Sequence, residues 1–209
     1  PGLFLPLLEE ARLINRLASW IYRQGAAQRR AWCGHFANEL TLGISLSRVQ
    51  FSMPNLVEEL AGVIASEGLS ASQLEVEIAE TSLTDNLDAA LRQLHKLREL
   101  GVRVALDDFG AGDCSLRLLR DLPIDPLKLD RHLVARLPDS LVDAALVRCV
   151  IELCEQYGIG IIAEGVETQI QADWLRANGC GYVQGFLVAR PITAEQAGRF
   201  PAFFDWQAQ

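Results

Sequence analysis

No stretch of the sequence approaches the ~18 consecutive apolar residues that a membrane-spanning helix needs. No basic segment followed by an apolar core stands at Pro1–Pro6, so this segment is not expected to be a signal peptide. The cysteines Cys33, Cys114, Cys149, Cys154 and Cys180 are odd in number and nowhere spaced Cys-x-x-Cys. Neither a disulfide framework nor a zinc site is indicated, and reduced thiols in a cytoplasmic protein are expected. Basic charge is in deficit: 19 Lys and Arg against 27 Asp and Glu in 209 residues, a net charge of −8. That balance argues against DNA as a partner, and an anionic ligand would need a metal ion or a local cation. Low-complexity segments, short repeats and Pro/Gly/Ser-rich linkers are missing too, so residues 1–209 read as one domain.

What is present is a sizeable apolar fraction, 50%, in which helical and strand periodicities alternate. Helical spacing runs through Leu7, Leu8, Ala11, Ile14, Leu17, Ala18 and Ile21 and is expected to stop near Gly25. Further helices are expected over Leu56–Ala65, Asn86–Leu100, Ser115–Leu122, Ser140–Tyr157 and Glu167–Ala177, with Thr193 capping a last one. Strands are expected over Leu40–Ser47, Leu74–Ala79, Val102–Leu106, Leu127–Asp130, Ile159–Ala163 and Tyr182–Val183. Strands alternating with helices predict an α/β fold with a parallel sheet, open or closed into a barrel.

The informative residues are acids at strand ends. Glu77, Asp107, Asp130 and Glu164 each fall at or near the C-terminal end of a different predicted strand, the face where parallel α/β folds bind ligands. Lys128 shares a strand side with Asp130. Gathered carboxylates repel one another unless cations intervene, and Mg²⁺ takes such oxygen ligands. Taken singly, each acid is more simply a solvated loop residue or a helix cap; four in register with a lysine favour a site. The sharpest local signal is Asp107-Asp108-Phe109-Gly110-Ala111-Gly112, where adjacent carboxylates can serve two metals. A kinase reading of Asp-Phe-Gly fails, because no Gly-rich loop or His-Arg-Asp precedes it.

In order along the chain stand Pro1–Glu10, Ile44-Ser45-Leu46-Ser47 with Gln50-Phe51, Leu74-Glu75-Val76-Glu77-Ile78-Ala79-Glu80, Asp107-Asp108-Phe109-Gly110, Lys128-Leu129-Asp130, Glu164-Gly165-Val166-Glu167 and Gln184-Gly185. In content and spacing this set resembles the EAL domain, a bacterial phosphodiesterase acting on cyclic di-GMP. The resemblance implies a TIM-like (β/α) barrel, with about six of the eight strands of such a barrel visible here. The missing pair, including the strand carrying Glu-Ala-Leu, is expected upstream, in keeping with a chain that opens without methionine.

The resemblance also implies a chemistry. Glu77, Asp107 and Asp108 correspond to metal ligands, with Asp107 bridging two Mg²⁺ or Mn²⁺ ions that clamp a phosphodiester and activate water. Lys128 corresponds to the residue holding the attacking water, and Glu164 to the general base or its partner. Glu80 and Glu167, with Asp130, correspond to supporting residues, and Gln184 approaches the ligand. The implied product is linear pGpG, with a homodimer and upstream GGDEF or sensory domains as family associations. Ser45 stands where the family has a metal-binding asparagine, Ala79 replaces threonine, and Ala111, Asp113 and Cys114 depart from the family loop. The alternative is therefore a degenerate EAL domain that binds cyclic di-GMP or a protein partner without hydrolysing it. His35, His95 and His132 are not paired at metal-binding spacing and receive no role. Trp20, Trp32, Trp174 and Trp206 read as core and interface anchors.

Overall fold

A computed structural model describes residues 7–8, 13–32, 40–83, 86–112 and 119–199. Asp113, Cys114, His35, Trp206 and most of the Pro1–Glu10 motif lie outside these residues. Among the described residues, no helix is long and apolar enough to cross a membrane. Six strands form one sheet in the order β1-β2-β3-β4-β5-β6. They are β1 (Leu42–Leu46), β2 (Leu74–Ala79), β3 (Arg103–Phe109), β4 (Leu127–Leu129), β5 (Ile161–Ala163) and β6 (Tyr182–Val183). The pairings β1–β2, β3–β4, β4–β5 and β5–β6 are parallel. Each strand lies beside its predecessor, the winding of a (β/α) barrel, because parallel neighbours need a crossover and the crossover keeps one hand.

The chain divides into two compact units, Pro1–Ile78 with Asp85–Val104, and Ala79–Thr84 with Ala105–Gln209. In the first unit, helix α1 (Ile14–Trp32) runs past Gly25, where the sequence predicted a stop. A glycine inside a helix weakens it by about 1 kcal/mol but does not end it. A Cβ at Gly25 would stand 3.2 Å from Leu42 Cδ2, so this glycine serves the close approach of α1 to β1. The last turn gathers Arg29 and Arg30, favourable at a helix C-terminus, and Arg30 pairs with Glu67 at 3.1 Å. A short helix α2 (Arg48–Phe51), not predicted, is nucleated by a capping box between Ser47 and Gln50. Helix α3 (Leu56–Glu67) buries Leu56, Leu60 and Val63. Asn86 caps α4 (Leu87–Glu99), its side chain accepting the Ala89 N–H at 3.0 Å.

In the second unit, α5 (Arg131–Val134) follows β4 directly. Ser140 caps α6 (Leu141–Tyr157), which ends at a left-handed Gly158. Thr168 and Gln171 form a capping box for α7 (Gln169–Ala177), and Thr193 and Gln196 form one for α8 (Ala194–Ala197). The core of this unit is built from apolar residues of β3, β4 and β5 with Val147, Val150 and Ile151 of α6. Strand burial is near-continuous, as for parallel strands covered on both faces.

Candidate active site

The second unit brings Asp107, Asp108, Lys128 and Glu164 together. Strand β3 extends further than its apolar run predicted and carries both aspartates within it. Regular alternation would send adjacent side chains to opposite faces. The β3–β4 register shifts between Leu106 and Phe109, and Asp108 takes φ of 55°, a left-handed conformation that Asp tolerates better than most residues. A local irregularity of this kind re-aims side chains. With it, oxygens of Asp107, Asp108 and Glu164 all lie within 4.8 Å of one another, a set that could hold a metal ion.

Lys128 is the cation inside this cluster. It is 4% exposed, and its Nζ stands 2.7 Å from Glu164 Oε1 and 3.3 Å from Asp107 Oδ1. The strand ends are tied by main-chain bonds: the Asp130 N–H donates to Phe109 O and the Glu164 N–H to Leu129 O, both at 3.1 Å. Burial raises the Glu164 carboxyl above its ordinary value, outweighing the opposing pull of Lys128. Burial, followed by repulsion from Asp107 and Asp130, raises Asp108. Both shifts mark carboxylates that gain from a cation. The acid-rich, oxygen-only donor set suits a hard divalent ion such as Mg²⁺ or Mn²⁺.

Glu80 is 1% exposed and accepts the Gly110 N–H at 2.9 Å, holding the loop that follows the aspartates. Asp130, 5% exposed, caps α5 by accepting the His132 N–H at 2.8 Å, and it stands 2.7 Å from His132 Nδ1. Glu167 is exposed, and its main-chain N–H donates to Gln171 Oε1. Gln184 is exposed, and its main chain pairs with Ala163 and Val166. Arg131 and His132 carried no role in the sequence reading. The Asp-x-His spacing, an aspartate capping the turn that carries the histidine, was the available signal.

Glu77 and Ser45 belong to the first unit. They are register partners on β2 and β1, and the Ser45 hydroxyl donates to Glu77 Oε2 at 2.7 Å. The Ser45 hydroxyl thus occupies one oxygen of Glu77.

Comparison with known proteins agrees with the family resemblance. Residues 1–191 match the EAL domain family. The chain is 36% identical over 196 residues to the bifunctional diguanylate cyclase/cyclic di-GMP phosphodiesterase MucR of Pseudomonas aeruginosa, covering 94% of this chain and 29% of MucR. It therefore spans less than a third of that relative's length. The solved cyclic di-GMP complex of the PaMucR phosphodiesterase superposes with a TM-score of 0.89 at 36% identity, covering 94% of this chain and 80% of that one. The manganese and cyclic di-GMP complex of BlrP1 from Klebsiella pneumoniae gives a TM-score of 0.78 at 32% identity, covering 86% of this chain and 45% of that one. Parallel strands, an acidic cluster gathered around one buried lysine, and a match running nearly from end to end place the chain in the EAL domain family.

Proposed function

We propose that this chain hydrolyses cyclic di-GMP to linear pGpG in a reaction that depends on divalent metal. The observation that carries the reading is Lys128, buried and bonded to both Asp107 and Glu164 beside a third carboxylate. A structural ion pair needs one partner; a lysine held between two acids at the ligand end of parallel strands is arranged to handle a water molecule.

Asp107 and Asp108 are assigned to hold the metal. Glu77 is assigned as a further ligand on its place in the family's motif order. Two Mg²⁺ or Mn²⁺ ions, when bound, would neutralise the carboxylates and stabilise charge on the attacking and leaving oxygens. Glu164 takes a proton from the attacking water, a task suited to a carboxylate raised above its ordinary value. Lys128 orients that water through its ammonium donors. The water oxygen bonds to phosphorus, the P–O3′ bond breaks, the 3′ oxygen gains a proton, and the ring opens to a 5′-phosphate. Glu80 holds the Gly110 loop so that Asp108 keeps its aim. Reduced thiols are kept in the cytoplasm, and we place the activity there. A homodimer and upstream GGDEF or sensory domains stay proposals drawn from the family resemblance.

The test is chromatographic detection of pGpG with manganese and with EDTA. Metal-dependent product supports the reading, and cyclic di-GMP left intact in both refutes it. One observation favours a second reading, binding without turnover: Ser45 spends its hydroxyl on Glu77. Calorimetry showing tight binding of cyclic di-GMP without any pGpG would select it.

A further inference from the structure

Sheet pairing fixes Lys128 but does not by itself place Glu164. Lys128 pairs with Ile162 across β4 and β5, and the last paired residues are Leu129 and Ala163. Glu164 stands one residue beyond the sheet. Its N–H is anchored on Leu129 O at 3.1 Å, and its carboxylate reaches Lys128 Nζ at 2.7 Å. The aim of that carboxylate depends on how the chain leaves Glu164, through Gly165 at φ of 68° and on to α7.

Two contacts hold this exit against α5, the helix that follows Lys128-Leu129-Asp130. A Cβ at Gly165 would fall 2.5 Å from Arg131 Cβ, so only glycine lets the exit lie on the start of α5. Further along stands Gln171, 7% exposed, whose side-chain amide uses its full bonding capacity. Its Oε1 accepts the N–H groups of Glu167 and Thr168 at 2.9 and 3.0 Å, and its Nε2 donates to Val134 O and Ala135 O at 3.2 and 3.3 Å. The last carbonyls of a helix have no partner within it, and here Gln171 supplies one. All four bonds run to main-chain groups and none to the carboxylate cluster. They tie the end of α5 to the start of α7.

We propose that Gln171 is a positioning residue for hydrolysis: by tying α7 to α5 it keeps the Glu164 carboxylate aimed at Lys128. Glu164 leads into the segment that Gln171 Oε1 holds, and Lys128 leads into the helix that Gln171 Nε2 holds. A buried polar group with every bond satisfied makes its surroundings rigid, and rigidity is what a water shared by Lys128 and Glu164 requires. The inference rests on the proposed hydrolysis, in which Lys128 orients the water and Glu164 takes its proton, and adds what keeps the two together. An amide that only stabilised the fold would act independently of Lys128. One that positions Glu164 on Lys128 loses its effect once that contact is gone.

The experiment compares wild type, Gln171→Met, Lys128→Met and the double variant. Methionine keeps an unbranched side chain and removes all four bonds. Gln171→Met is expected to lower kcat for pGpG formation in manganese about 10²-fold, the cost of a reacting group displaced by about 1 Å. KM should change less than about twofold, because no group assigned to the ligand is removed. In the Lys128→Met background the same change should cost less than about tenfold. Thermal melts in EDTA supply a second cycle that needs no turnover: Lys128→Met should lower Tm clearly less when Gln171 is already replaced. Should Gln171→Met fail to fold, Gln171→Glu takes its place, keeping the bonds to Glu167 and Thr168 while breaking those to α5. Losses in kcat that multiply, or Tm shifts that add, overturn the positioning role and leave hydrolysis standing wherever wild type makes pGpG. A wild type that makes no pGpG overturns hydrolysis. The melts then decide on Gln171: shifts smaller than additive keep its tie to the Lys128–Glu164 pair, and additive shifts end it.

Discussion

Replacing Lys128 with methionine separates the two tasks assigned to this lysine, neutralising the cluster and handling the water. The cluster holds three carboxylates and one ammonium, −3 + 1 = −2 when all are charged, and Lys128→Met leaves −3. Removing one partner from a buried ion pair costs about 3–5 kcal/mol. Asp107 and Glu164 keep 18% and 17% side-chain exposure, so water shields part of the loss. The low end, about 3 kcal/mol, is the expectation. At about 2–4 °C per kcal/mol for a chain of this size, the metal-free melting temperature should fall by about 6–12 °C. Manganese should then raise Tm more in Lys128→Met than in wild type, because a cation that binds only the folded form stabilises it in proportion to its affinity, and the variant offers a more negative site. Hydrolysis should still fall by about 10²–10⁴-fold, the range for losing a group that positions or transfers a proton. The assays are thermal melts in EDTA and across a manganese titration, with pGpG production at saturating metal. A variant that melts within about 2 °C of wild type in EDTA and shows an equal manganese shift would refute the central place given to Lys128.

The raised carboxyls of Glu164 and Asp108 take up protons in the folded chain at higher pH than in the unfolded chain, so metal-free stability contributed by these groups rises as pH falls through their folded values and is lost as pH climbs. Melts in EDTA over a series of falling pH should show this slope in wild type and a weaker one in Glu164→Gln, while manganese affinity falls over the same series; parallel curves would remove Glu164 from the effect. Ser45→Asn, which exchanges the hydroxyl bonded to Glu77 for an amide carbonyl, is expected to raise manganese affinity and turnover together in a protein that carries the Glu-Ala-Leu glutamate. A manganese titration of pGpG output that does not move there would take Ser45 away from the metal. Glu80→Ala leaves the Gly110 N–H without its carboxylate and should destabilise by about 1–3 kcal/mol in urea melts, with weaker manganese binding. Unchanged metal affinity would reduce Glu80 to a structural role.

The alternating pattern, the six strands and most helix ends were determined by local chemistry that a sequence displays. Asn86, Ser140, Thr168 and Thr193 cap because their side-chain oxygens reach main-chain N–H groups within one turn, and Gly158 ends α6 because it accepts a left-handed φ. Acids at strand ends were legible for the same reason, since a strand's end is marked by where its apolar run stops. Gly25 was misread because its purpose is a neighbour distant in sequence, Leu42, and no local rule carries that contact. The irregularity that turns Asp107 and Asp108 toward Glu164 depends on the register between β3 and β4, a property of two paired strands. His132 looked unemployed until its ring was found on Asp130. Residue type and order determined which groups are available. Pairing register and long-range packing decided which of them meet, because contact between distant residues is a property of the folded chain.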